Sequence, residues 1–294
     1  MKGVYKYRED YIIYNEMMDV YRQQLDIIQE GEIMDNAIGK DKDESIIVKI
    51  LKFIPRLIHA IISLIKQKVF DTTTNMKMKY IESKLKNSTV TESFYIETPV
   101  FEFDKNTKDL QKYSGEFKQF SSKLYNDTQD MMFNMRGLLN MKSGDSIALS
   151  ANKFHREWSV QKIYMSFLKE IDIWSKRFMK YNTSEGSFDY NQKEGRETKR
   201  NIARLLDTFN SLTMTRTNLN QSIVDLNKTE RLIHKNDLFI GIGQLENKIQ
   251  PVLYDMVNDM ARCCKCLSAI ASRLVHITCV TINSIYQEVK ELII

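Results

Sequence analysis

Glycine and proline are scarce in this chain, with ten Gly and three Pro among 294 residues. Turn-rich β folds and the loops of α/β folds depend on these two residue types to reverse the chain. Their scarcity therefore predicts a mainly α fold built from long helices. A chain of this length can bury a large core in one elongated or two compact domains.

Cysteine is also rare, and the four cysteines (Cys263, Cys264, Cys266 and Cys279) all lie near the C-terminal end. A disulfide-stabilised extracellular domain would distribute them over the fold. The first residues contain neither the apolar run nor the small-residue cleavage site of a secretory signal. We therefore expect the protein to stay in a reducing cytoplasm.

The cysteines and His276 fall on one continuous predicted helix, on which they cannot converge on a single zinc ion. Packing is the favoured interpretation of these cysteines, with S-acylation or redox use of exposed ones as the alternative. We expect no metal and no cofactor.

Sequence motifs of the common enzyme classes are missing. The chain contains no P-loop, no nucleophile elbow and no H-E-x-x-H helix, and Gly241-Ile242-Gly243 is a lone GxG without a third glycine. We therefore predict no catalytic residues and a protein that is not an enzyme.

What the chain does contain is a basic amphipathic stretch at residues 45–70, SIIVKILKFIPRLIHAIISLIKQKVF. The stretch contains five basic residues and no acidic residue. Spacings of three and four draw one narrow polar stripe along an apolar helix, at Lys49, Lys52, Arg56, His59, Ser63 and Lys66. Pro55 removes one backbone donor, so we expect a kink near 51–54 or a break into two helices. The sequence DTTTN at 71–75 is expected to end the element.

The apolar face of this stretch must be shielded from water. Three environments could shield it: the protein's own core, an anionic membrane, or a partner protein. The longest uninterrupted apolar runs in the stretch are three residues, which disfavours a simple transmembrane anchor. The predicted membrane- or partner-binding residues are Lys49, Lys52, Phe53, Arg56, Leu57, Ile58, His59, Ile61, Ile62 and Lys66.

The net charge of the whole chain is +5, the same as that of residues 45–70 alone. The remainder is therefore electrically balanced. A nucleic-acid-binding protein is expected to carry basic residues along a whole face, so we expect no specific nucleic-acid partner.

Three parts are predicted along the chain. Residues 1–87 hold an N-terminal helix at 6–30 and, after a polar linker, the amphipathic element with a polar helix behind it. Residues 88–107 form a short β or linker segment, with a hairpin-like β excursion at 88–104. Residues 108–294 form an elongated helical bundle of four segments, at about 108–141, 150–181, 195–235 and 247–292, of which the last is a long C-terminal helix.

The segment YNEMMDVYRQQLDIIQEG, the following DKDES linker and the motif IIVKILKFIPRLIHAIISLIK resemble a group of virion or virion-associated helical proteins of large tailed phages that infect Firmicutes. The resemblance covers about residues 1–70 and is carried by Lys52-Phe53-Ile54-Pro55-Arg56-Leu57-Ile58. It implies a virion or host-cytoplasmic setting and supplies no catalytic residue.

Together these features predict a non-enzymatic phage structural or virion-internal protein that uses residues 45–70 to engage a membrane or a partner during assembly or genome delivery. Homo-oligomerisation or binding to other virion proteins is expected, with peripheral association with an anionic membrane as a further expectation. The alternative function is a helical pore-forming or membrane-disrupting effector, in which residues 45–70 would leave the bundle and insert.

Overall fold

The computed structural model describes residues 46–87, 103–141, 143–157, 160–183, 196–234 and 250–292, and these residues are almost entirely helical. The helices are α1 (Ile46–Val69), α2 (Thr72–Asn87), α3 (Phe103–Leu139), α4 (Gly144–Glu157), α5 (Gln161–Thr183), α6 (Arg196–His234) and α7 (Gln250–Leu292). The prediction of a mainly α protein with a long C-terminal helix is confirmed. The chain divides into two compact units, Met1–Lys49 and Ile50–Ile294, and within the first the structure describes only the start of α1.

Several predicted elements fall outside the described residues: the helix at 6–30, the linker after it, and residues 88–102 of the β excursion. The last two residues of that excursion, Phe103 and Asp104, begin α3 instead, so this end of the β prediction is wrong. No strand occurs within the ranges that the structure describes. The division at 1–87, 88–107 and 108–294 stays a prediction.

Helix α7 is the central helix of the second unit and packs against α2, α3, α4, α5 and α6. At 1.5 Å per residue its 43 residues extend about 64 Å. Residues spaced three and four apart form one buried stripe along α7, at Leu253, Met256, Met260, Cys263, Leu267, Ile270, Leu274, Ile277 and Thr281.

The helices around α7 run in both directions. Residues 113 and 120 of α3 lie beside Trp174 and Tyr164 of α5, so these two helices are antiparallel. Lys77 and Tyr80 of α2 lie beside residues 283 and 286 of α7, so these two are parallel. Short connections between neighbouring antiparallel helices are the usual construction of helical bundles.

Helices α3 and α6 are parallel and share an interface with a regular heptad repeat. Asn218 donates a hydrogen bond to the Ser114 hydroxyl at 3.1 Å, and Lys228 lies over the ring of Tyr125, which fixes the register. One series of buried residues of α3, spaced three and four apart, alternates between small hydroxyl residues and large apolar ones, at Thr107, Leu110, Ser114, Phe117, Ser121, Leu124, Thr128 and Met131. A matching series of buried residues of α6 alternates in the same way, at Leu205, Thr208, Leu212, Thr215, Leu219, Ser222, Leu226 and Thr229.

In this register each layer of the α3–α6 interface pairs a small hydroxyl residue of one helix with a large apolar residue of the other. Equivalent heptad positions face each other in a parallel pair, so Ser121 faces Leu226 and Leu124 faces Thr229. The hydroxyl groups cost little to bury because they donate to carbonyls of their own helix, as Ser121 does to Phe117 (2.9 Å) and Thr128 to Leu124 (2.6 Å).

The helix predicted at 150–181 is divided in the structure. Helix α4 ends at Glu157 and α5 begins at Gln161, where the Ile163 amide donates to the Val160 carbonyl. The buried face of α5 includes Tyr164, Phe167, Ile171 and Trp174. Phe120 stacks on Phe167 with ring centroids 4.6 Å apart, which ties α5 to α3.

Helix α1 continues through Pro55, and the predicted break into two helices is wrong. Proline inside a helix costs about 3 kcal/mol. Burying a single large apolar side chain recovers roughly 1.5 to 3 kcal/mol, and α1 buries eleven of them, from Ile47 to Val69. Burial of the apolar face therefore outweighs the missing hydrogen bond.

Candidate binding surface

The apolar face of α1 is buried within the protein. Among the predicted binding residues, Leu57, Ile58, Ile61 and Ile62 are each at most 8% exposed, and Phe53 is half-buried. The polar members lie on the opposite side: Lys52, Arg56, His59 and Lys66 are exposed and Lys49 is half-buried. In this conformation a binding partner reaches the cations and not the apolar residues.

Basic residues continue from α1 into α2. Residues 46–87 contain nine Lys or Arg and only two acidic residues, Asp71 and Glu82. We define the cationic edge as the exposed basic residues of these two helices, which are Lys52, Arg56, Lys66, Lys68, Lys79 and Lys86. The predicted binding residues do not include the α2 part of the cationic edge, although the excess of lysine over acid after residue 75 is visible in the sequence.

The two helices of the cationic edge follow one another along α6 in the same direction. His59 of α1 lies beside Glu230 with Nδ1 and Oε1 3.4 Å apart, and the end of α1 reaches Arg216. Farther along, Glu82 of α2 lines the same groove as Phe209. The edge from Lys52 to Lys86 therefore extends about 50 Å at 1.5 Å per residue.

The corner between α1 and α2 is closed by hydrogen bonds. Asp71 caps the first turn of α2 by accepting from the Thr74 amide at 3.0 Å. Asn75 donates to the Phe70 carbonyl at 2.9 Å, and the Thr74 hydroxyl donates to the Lys68 carbonyl. The sequence DTTTN therefore starts a helix as well as ending one.

Arg216 of α6 holds this corner against the bundle. Its guanidinium donates to the Val69 carbonyl at 3.3 Å and to Asn75, and it lies over the ring of Phe70. Burial lowers the pKa of Arg216, and the nearby Asp71 carboxylate opposes that shift. The arginine therefore binds one carbonyl at the end of α1 and one side chain in the first turn of α2.

Replacing Asp71 with alanine is expected to lower the free energy of unfolding by about 1 kcal/mol, because the cap of α2 is lost. Burial alone would raise the pKa of Asp71, but hydrogen bonds from Thr74 and the charge of Lys77 lower it overall. The contribution of the Asp71 carboxylate to the free energy of unfolding is therefore complete above its pKa in the unfolded chain, near 3.9. It is lost as the pH falls through the lower pKa of Asp71 in the folded protein. Urea unfolding at neutral pH measures the effect.

The matched control is Asp71→Asn, which keeps a capping oxygen and removes the charge. It should cost much less than Asp71→Ala. Equal losses in the two variants would mean that the cap is not what stabilises the corner.

Among the described residues are two shallow grooves. The larger, about 540 Å³, runs between α3 and α6 and has only polar lining residues, including Lys118, Asn126 and Gln221. The smaller, about 260 Å³, lies between α2 and α6. Neither groove has the mostly apolar lining with a few converging polar groups that is typical of small-molecule sites.

The cysteine cluster is part of the core. Cys263, Cys264 and Cys266 are buried and Cys279 is half-buried, and all four are free thiols. Burial raises the pKa of each thiol, which makes each a weak nucleophile at neutral pH. In the ranges that the structure covers, no group of three or more His, Cys, Asp or Glu residues is arranged to hold a metal ion.

One helix among the described residues is long and apolar enough to cross a membrane, over Pro251–Gln287 of α7. This is also the helix at the centre of the bundle, and a core helix meets the same criteria of length and composition. The finding is weak support for membrane association.

Comparison with known proteins returned no match: no family model, no curated protein and no solved structure is significantly similar to this chain.

Proposed function

We propose that this chain is a non-enzymatic structural or internal protein of a phage particle, an elongated helical bundle that uses the cationic edge to engage a membrane or a partner during assembly or genome delivery. The observation that carries the proposal is the separation on α1, where the apolar face is buried and Lys52, Arg56 and Lys66 are exposed. The resemblance of residues 1–70 to virion-associated proteins supports the phage setting.

Long helices with heptad interfaces are common in structural assemblies. Helices α3, α6 and α7 contain 37, 39 and 43 residues. The lining of the two grooves is not that of a small-molecule site, which supports a role in surface contacts.

The test is mass spectrometry of density-purified particles from the host that carries the gene. We expect peptides of the chain to co-sediment with particles at a fixed ratio to a capsid protein. Sedimentation velocity of the purified chain is expected to show an oligomer. Recovery only in the soluble fraction, as a monomer, would contradict the proposal.

The second candidate function is a pore-forming or membrane-disrupting effector. The observation that favours it is the apolar stretch Pro251–Gln287, which has the length and composition of a membrane span. Release of a trapped dye from vesicles by the purified chain would support this function, and intact vesicles would exclude it under the conditions used.

A further inference from the structure

We infer that the cationic edge binds the headgroups of anionic phospholipids peripherally, while the apolar face of α1 stays buried in the protein. This inference names the partner and the mode of binding, and it rests on the proposed function. It differs from insertion of residues 45–70, because a peripheral mode needs no part of α1 to leave the bundle.

The composition of the edge favours lipid headgroups over other anions. Five of its six cations are lysines and one is Arg56. Recognition of individual phosphates or carboxylates in nucleic acids and proteins favours arginine, whose planar guanidinium binds two oxygens at once. Lysine is a compact charge without that geometry, and it suits a surface whose headgroups are mobile.

The geometry of the edge also suits a surface. Its cations extend over about 50 Å in the direction shared by α1 and α2, rather than converging on a pocket. On α2, Met76 is 60% exposed and lies on the same side as Lys79, three residues on. An exposed apolar side chain beside lysines is what the boundary between headgroups and acyl chains accommodates.

The affinity of the cationic edge for an anionic membrane can be approximated from its charges. Each basic residue close to an anionic leaflet raises the affinity about fivefold, and the attraction decays within a Debye length of about 8 Å at physiological salt. Binding should therefore weaken strongly between 50 and 300 mM salt, concentrations chosen for the test. It should be undetectable on neutral vesicles.

The first experiment is co-flotation of the full chain with vesicles of phosphatidylcholine alone or mixed with phosphatidylglycerol. We expect flotation only with the mixed vesicles, and a loss of about 30-fold or more in affinity for Lys52→Glu with Arg56→Glu. The control is Lys162→Glu with Lys169→Glu, which makes the same charge change at two exposed lysines of α5. The control should keep most of the binding.

The second experiment separates peripheral binding from insertion. His59 and Glu230 are in contact across α1 and α6, so His59→Cys with Glu230→Cys can be joined by a short bis-maleimide. The native thiols react slowly because burial raises the pKa of each. The cross-linked protein is expected to float as well as the unlinked one, without dye release.

Three outcomes would overturn the inference. Flotation that survives the α1 charge reversal would show that another surface binds. Flotation lost on cross-linking, or accompanied by dye release, would show insertion. Absence of flotation together with binding to polyglutamate or duplex DNA would show that the partner is not a lipid. Detection in particles is measured separately, so a failure of this inference leaves the proposed function standing on its own test.

Discussion

Replacing Ser121 with leucine is expected to lower the free energy of unfolding by about 2 kcal/mol, and Leu226→Ser is expected to lower it by about 4 kcal/mol. The first change overpacks a fully buried position of the α3–α6 interface, and the second leaves a cavity lined by a hydroxyl. The double variant should be more stable than Leu226→Ser alone. It restores one large and one small residue to the same layer, with the helices exchanged.

Urea unfolding followed by circular dichroism measures all three variants, and we expect a coupling energy of about 2 kcal/mol or more between the two sites. The matched control combines Ser121→Leu with Leu219→Ser, one heptad away, where Leu219 faces Ser114. Because these two changes lie in different layers, their effects should add. Rescue in the control, or additivity in the Ser121 and Leu226 pair, would mean that the register is different.

Acidification is expected to destabilise the protein through His276 by on the order of 3 kcal/mol between pH 6.5 and pH 4. Burial lowers the pKa of this histidine in α7 to about 4, whereas in the unfolded chain it is about 6.5. Between these two pKa values, His276 is therefore protonated in the unfolded chain and neutral in the folded protein. The loss begins as the pH falls below 6.5 and is complete below the folded pKa.

His276→Gln removes this proton uptake, so its stability should change less with pH than that of the unsubstituted protein. The measurement is the free energy of unfolding in urea at pH 7.5 and at pH 4.5 for both proteins. The difference between the two pH values should be smaller in the variant by about 2 kcal/mol. Equal differences would show that His276 is protonated in the folded state or does not titrate in this range.

Sequence periodicity predicted the helices well where the repeat was long. The bounds of α6 and α7 agree with prediction to within three residues, because apolar residues recur at spacings of three and four over many turns. A pattern of apolar residues could not reveal the buried Ser and Thr residues that alternate with them in the α3–α6 interface. Ser114, Ser121 and Thr128 look polar in sequence, and their burial follows only from the seven-residue spacing that they share with Thr208, Thr215 and Ser222.

Two local features could not be read from the sequence. No glycine or proline lies between 150 and 181, so nothing in the residue types indicated that α4 ends at Glu157. Pro55 indicated a kink or a break, and the break is absent because burial of the apolar face of α1 outweighs the missing hydrogen bond. For the binding surface, periodicity identified the exposed cations of α1. It did not decide whether the protein's own core, a membrane or a partner covers the apolar face of α1, because burial depends on tertiary contacts and not on the local pattern.

The pairing of large with small residues between α3 and α6 constrains how the gene can vary. A single substitution that enlarges Ser121 or shrinks Leu226 is expected to be costly, whereas the two together are expected to be tolerated. Lineages that change one position should therefore carry a compensating change at the other. In any set of homologous sequences we expect side-chain volumes to vary in opposite directions within each facing pair, which are 114 and 219, 117 and 222, and 121 and 226. Such covariation would reflect the packing of α3 against α6.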